Sequence, residues 1–124
     1  MPRMEFYHRI HGKRTHNIFL MHAESHIVLK GGRIKDGSVF KQRVPPCEPD
    51  IYYEYRDNGR IFLGVLEVES NPTKESVERK QRQYTETLRG VILTVLSVNE
   101  FWKFSEGKAD WNLLDKYLEQ EIPI

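Results

Sequence analysis

The chain has 124 residues, of which 39% are hydrophobic, 30% charged and 11% aromatic. That is the length of one ordinary domain, which argues against separate cofactor and substrate modules, and its apolar share is too high for a disordered chain. The net charge of +1 hides an asymmetry, because residues 1–43 carry nine Lys or Arg against three Asp or Glu, whereas residues 99–124 carry three against six.

A basic N-terminal third suits a surface that meets phosphates, and equally a solvated face. No run reaches the roughly 18 apolar residues of a membrane span, and the opening MPRMEFYHRIHGKR lacks the apolar segment of a signal peptide. An intracellular, cytoplasmic protein with no membrane partner is the expectation. The lone Cys47 can form neither an internal disulfide nor a cysteine zinc cluster.

Residues from about Arg14 to Lys30 predict a first helix, with Ile18, Met21, Ser25, Val28 and Leu29 near helical spacing and Gly31-Gly32 as the stop. Arg33 to Val44 predicts short β structure around an Asp36-Gly37 turn. Pro45, Pro46 and Pro49 then read as a rigid, extended approach to the next element. The clearest local signal is IYYEYRDNGRIFLGVLEVE, two β-rich runs joined by Asn58-Gly59, a pair that tolerates the positive φ angles of a type I′ turn. It predicts strands at about 50–56 and 60–69, the second apolar on both faces and therefore covered on both sides.

Asn71-Pro72 reads as an N-cap and first helical position for a polar helix over 72–88, ended by Gly90 and carrying Val77, Tyr84 and Leu88 on one stripe. VILTVLSV, residues 91–98, predicts a buried strand reached by that helical crossover. A last amphipathic helix over about 110–121 places Trp111, Leu114, Tyr117 and Leu118 on its apolar face. Phe101, Trp102, Phe104 and Trp111 are expected to cover one side of the sheet or to form a dimer contact. The predicted fold class is α/β, one domain over residues 1–124 with the order αβββαβ, a central sheet flanked by helices and a C-terminal helix.

If Asn58-Gly59 is a two-residue loop, facing hairpin residues have numbers summing to 117, and Asp50 falls opposite Glu67. Strand alternation puts Glu69 on the same side as Glu67, so three carboxylates converge near the open end of the hairpin. Like charges across a strand pair repel and lose hydration, and a divalent cation such as Mg²⁺ or Mn²⁺ would offset both costs. The alternative is that the strand ends before Glu67 and the acids are solvated, or that arginines neutralise them.

Pro49-Asp50, a following strand, then Glu67-Val68-Glu69 resembles the PD-(D/E)xK nuclease signature, whose superfamily includes restriction endonucleases and archaeal Holliday-junction resolvases. The resemblance extends to the order of elements from about residue 14 to 98, and it implies a restriction endonuclease-like core. It further implies Asp50 and Glu67 as metal ligands, with the backbone carbonyl of Val68 adding an oxygen, for a Mg²⁺- or Mn²⁺-dependent endonuclease acting on DNA. Glu69 stands where that family has a lysine, and some restriction enzymes are similar in having glutamate there. Other members carry the lysine on the next helix, where Lys80 is the candidate. Many members carry on the first helix a glutamate that helps hold the metal, and Glu24, the only acid on the corresponding helix here, is the candidate for it, the other reading being an exposed helical acid near Lys30 and the basic segment.

Lys80 and Gln83 share a helix face and are candidates to orient phosphate or water, the other reading being ordinary solvated side chains. Arg79, Lys80 and Arg82, with Arg3, Arg9, Lys13, Arg14, Arg33, Lys35, Lys41 and Arg43, are candidates to track a nucleic-acid backbone. His22 and His26 have the spacing of a helical metal grip, but no HExxH pattern or cysteine partner accompanies them, which favours partly buried or surface histidines. A symmetric homodimer presenting two sites is a further expectation of the resemblance. The rival reading keeps the fold without catalysis, as a nucleic-acid-binding or assembly module.

Overall fold

Apolar side chains at a strict four-residue spacing orient the first element of this computed structural model. It describes the backbone of residues 2–42 and 48–124 and the side chains of 13–41 and 48–124. Helix α1 runs Pro2–Leu29, starting well before the expected Arg14. Its buried stripe is Thr15, Phe19, Ala23 and Ile27, whereas Met21, Val28 and Leu29, expected to face inward, are exposed. A stripe repeating every four residues runs at about 26° to the helix axis, and the small Ala23 lets it sit close against the sheet.

Strand β1 is only Arg33–Lys35, and the expected hairpin at Asp36-Gly37 is instead a 3-10 turn over Gly37–Gln42. The cause is local. The Asp36 carboxylate accepts the Ser38 N–H at 2.9 Å and captures the backbone before a second strand can form. Phe40 then anchors the turn, edge-on to Tyr52 and Tyr84 at ring separations of 5.1 and 5.3 Å.

Strands β2 (Ile51–Asp57) and β3 (Arg60–Glu69) form the expected antiparallel hairpin, and β4 (Ile92–Ser97) lies parallel to β3. The described residues make one four-stranded mixed sheet in the order β1-β2-β3-β4, so β3 is interior, as its two apolar faces required. Helix α2 (Lys74–Thr87) is the crossover between the parallel strands. Its N-cap is Thr73 rather than Asn71, because the Thr73 hydroxyl accepts the Ser76 N–H at 3.1 Å and leaves Pro72 outside the helix.

β4 ends one residue earlier than expected, because Ser97 caps an unforeseen helix, α3 (Val98–Phe104), by accepting the Glu100 N–H. Helix α4 (Trp111–Glu121) is capped by Asp110 and buries Leu114, Tyr117 and Leu118. Among the described residues no helix is long and apolar enough to cross a membrane.

Alternation along the strands sends side chains to two separate cores. Ile51, Tyr53, Leu66, Val68 and Leu96 pack with Phe19, Ala23 and Ile27 of α1 and with α3 and α4. Tyr52 and Val65 pack on the opposite face with Phe40, Tyr84 and Val91. At the hairpin centre Tyr53 pairs with Gly64, and its ring lies over that glycine so closely that any Cβ there would strike it. On the α2 face, Gln81 bonds the Val91 carbonyl and the Leu93 N–H, both at 3.0 Å, which fixes the helix against β4.

Candidate functional site

The turn that sets the hairpin has φ angles of 52° at Asn58 and 78° at Gly59, the left-handed conformation a type I′ loop requires. Its register runs from Asp57 opposite Arg60 to Ile51 opposite Leu66, as the two-residue loop predicts. The next step along β3 is the Glu67-Val68-Glu69 segment, where the β2 side of the ladder ends at Asp50. Here the Asp50 carboxylate, in place of a strand carbonyl, accepts the Val68 N–H at 2.8 Å.

Alternation then divides the segment. Val68 is buried on the α1 side, while Glu67 and Glu69 continue the row of Leu63 and Val65 toward α2. Lys80, one turn before Tyr84 on α2, donates from Nζ to Glu67 at 3.0 Å and also to Glu69. The Tyr84 hydroxyl donates to the other Glu67 oxygen at 2.7 Å. Glu67 is the most enclosed acid of the group, its side chain 13% exposed. Burial alone would lower the Lys80 pKa, but hydrogen bonds to Glu69 and Glu67 and their negative charges more than offset it, and the pKa is raised. The lysine is held as a cation.

On the α1 side the residue that reaches Asp50 is His16, whose Nε2 lies 3.3 Å from the oxygen bound by Val68. Glu24, the acid expected to serve from this helix, is eight residues further along, about 12 Å by helical rise. It is exposed and lines a surface cleft with Ser25, Val28, Leu29 and Ile34. The expected convergence of three carboxylates is therefore altered. Glu67 and Glu69 share an ammonium, Asp50 is tied to a backbone N–H and a histidine, and among the described residues no three His, Cys, Asp or Glu side chains are grouped to enclose an ion.

No family model, no curated protein and no solved structure matches this chain.

The remaining candidates scatter. Arg79 is exposed on α2 and Gln83 half-buried, one turn from Lys80. Lys41 pairs with Glu48 at 3.3 Å, and Arg33 and Lys35 both approach Glu54. Arg43 and the side chains of Arg3 and Arg9 lie outside the described residues. His22 and His26 do not grip a common point. His22 bonds Asp115 at 2.7 Å, and His26 meets the Ile124 carbonyl at 3.1 Å, so both tie α1 to the C-terminal segment.

Tyr84 and His16 are the members that sequence reasoning misses. Tyr84 has a legible signal, since it stands four residues after Lys80 and so on the same helix face, but in a stripe with Val77 and Leu88 its ring reads as packing alone. His16 has none beyond belonging to a histidine-rich helix.

The donor set suits a hard cation. Mg²⁺ keeps most of its water and usually takes one or two carboxylates, the ligand type that Asp50, Glu67 and Glu69 offer. An ammonium lodged between two carboxylates marks the same place as attractive to positive charge.

Proposed function

We propose that this protein is a metal-dependent nuclease that hydrolyses DNA phosphodiester bonds, with a restriction endonuclease-like core. The observation that supports the reading most is Lys80, which reaches from α2 to Glu67 and to Glu69, the residue that stands where the PD-(D/E)xK signature has its lysine. Asp50 and Glu67 would hold Mg²⁺ or Mn²⁺, with the Val68 carbonyl alongside. When bound, such an ion neutralises charge and polarises a phosphoryl oxygen.

The chain's own groups supply the rest. Glu69 would accept a proton from an attacking water, and Lys80 would counter the negative charge that develops on the phosphate. Tyr84 fixes the Glu67 carboxylate, and Val68 N–H with His16 fixes that of Asp50. Arg79 and Gln83 on α2, with Lys41 of the 3-10 turn and Arg43, would contact the backbone without reading sequence.

A second reading, a catalytically degenerate nucleic-acid-binding module, is favoured by the same ammonium, because Lys80 already satisfies two of the three acids. Cleavage of supercoiled, single-stranded and branched DNA with Mn²⁺ separates the two. The nuclease reading expects cleavage by the wild type and none by Asp50→Ala. Activity that survives in Asp50→Ala would sink the proposed site, and salt-sensitive DNA binding with no cleavage of any substrate would establish the binding module.

A further inference from the structure

Resting on the metal-site reading above, we propose that Lys80 is a resident counter-cation of Glu67 and Glu69 that an arriving divalent ion displaces. Metal entry and delivery of the lysine to a substrate phosphate are then one coupled event. Three observations carry this. Lys80 Nζ contacts both carboxylates, so the pair is neutralised by one positive charge and remains one negative charge in excess. The second Glu67 oxygen is taken by the Tyr84 hydroxyl, so an ion that binds Glu67 competes for the oxygen Lys80 holds or must break a second bond. Finally, α2 is pinned to β4 through Gln81, which leaves the flexible four-carbon stem of Lys80 as the element free to move.

The two cations cannot share the carboxylates without repulsion, and a divalent ion offsets both negative charges where lysine offsets one. Displacement therefore costs the lysine its partners and leaves an ammonium near the metal with no anion of its own. A phosphate diester is the chemical class that would fill that need. In its absence the displaced lysine works against metal binding, so metal and phosphate should bind cooperatively.

The experiment is calorimetric titration of Mn²⁺ alone into the wild type, Lys80→Met and Lys80→Arg, each checked for folding by circular dichroism. Removing the competing charge should tighten Mn²⁺ binding about tenfold in Lys80→Met, and Lys80→Arg should stay near the wild type. Equal or weaker binding in a folded Lys80→Met, with measurable wild-type binding, overturns the counter-cation role and leaves the metal site standing. Absence of Mn²⁺ binding in every folded variant overturns the metal-site reading and this proposal with it. Should Lys80→Met not fold, the lysine ammonium resonance of the wild type decides. Saturating Mg²⁺ should move the Lys80 signal toward that of a solvated lysine, and an unmoved signal overturns the proposal.

Discussion

The two faces of the sheet are built to different plans. On one, three helices and the rings of Phe19, Tyr53, Phe101, Trp102 and Tyr117 form a continuous apolar layer, and charge is confined to its rim. There His22 meets Asp115 and Lys30 meets Glu119, with the acids 58% and 56% exposed. The Lys30 hydrogen bond holds the Glu119 carboxyl below its ordinary range, yet a pair this exposed is screened by water and adds little to stability. Among the described residues the other face has one α-helix, the 3-10 turn and a small core around Phe40, Tyr52, Val65, Tyr84 and Val91, and its apolar row gives way to Glu67 and Glu69 before the strand ends. The lesson is that a thinly covered sheet end can carry half-buried charge, provided the covering helix brings its own cation and hydroxyl.

The sharpest way to break that contrast is to cut into each core from the same strand. Leu66 is fully buried under three helices, and Leu66→Ala should cost about 2–5 kcal/mol of stability. Its neighbour Val65 is equally buried on the α2 side, but Val65→Ala removes two methyl groups from a smaller cluster and should cost about 1–2 kcal/mol. Urea unfolding measures both, and a Val65→Ala loss as large as that of Leu66→Ala would show that the thin face carries equal weight.

A second contrast appears at alkaline pH. Burial pushes the Tyr53 and Tyr117 hydroxyls up to about 12 from an ordinary value of 10.0. Both lie on the thick face, Tyr53 facing Thr94 and Tyr117 bonded to Ser97. An unfolded tyrosine ionises near 10 while the folded one stays neutral, so the native state binds more protons in that interval. Stability is therefore full below about pH 10 and falls as pH rises toward about 12. Lys80, also raised, adds a loss of the same sign. Tyr53→Phe and Tyr117→Phe should each flatten the decline of the urea midpoint between about pH 9.5 and 11.5, an interval set by these ordinary and shifted values, without abolishing it. An unchanged slope would mean that neither hydroxyl is shielded as its burial implies.

How much of this was legible in the sequence depended on how local the cause was. Asn58-Gly59 sets its own geometry, and the register that aligns Asp50 with the Glu67 end comes from counting. The 3-10 turn was not legible, because it rests on the Asp36 side chain outcompeting a strand and on Phe40 finding two rings distant in sequence. Similarly, α3 is hidden because Val98 continues an apolar run and only the Ser97 cap marks the change of period. Lys80 could be placed on the correct helix face by spacing, but its hold on two carboxylates depends on how closely α2 lies against β3, a matter of packing by Tyr84 and Gln81. His16 belongs to the same class, since its contact with Asp50 depends on which stripe of α1 turns inward, and the exposed apolar residues of that helix pointed to a different stripe.

The smallest change offers the finest test of the thin face. Tyr84→Phe keeps the ring that packs edge-on to Phe40 and removes only the hydroxyl that donates to Glu67. A hydrogen bond to a charged, partly buried acceptor is worth about 1.5–3 kcal/mol, but here Lys80 still holds the other oxygen and some water can reach the vacated one, so the expected loss is about 1 kcal/mol. The functional consequence should be separable from this. A Glu67 carboxylate freed on one side can turn toward Lys80 or toward a cation, so Mn²⁺ affinity should change even where stability scarcely does. If Tyr84→Phe leaves both the urea midpoint and Mn²⁺ binding as in the wild type, the hydroxyl is incidental and Lys80 alone organises the carboxylate. If it weakens Mn²⁺ binding while the fold is intact, the tyrosine is a positioning residue for Glu67, and the thin face is organised around that acid rather than around its apolar core.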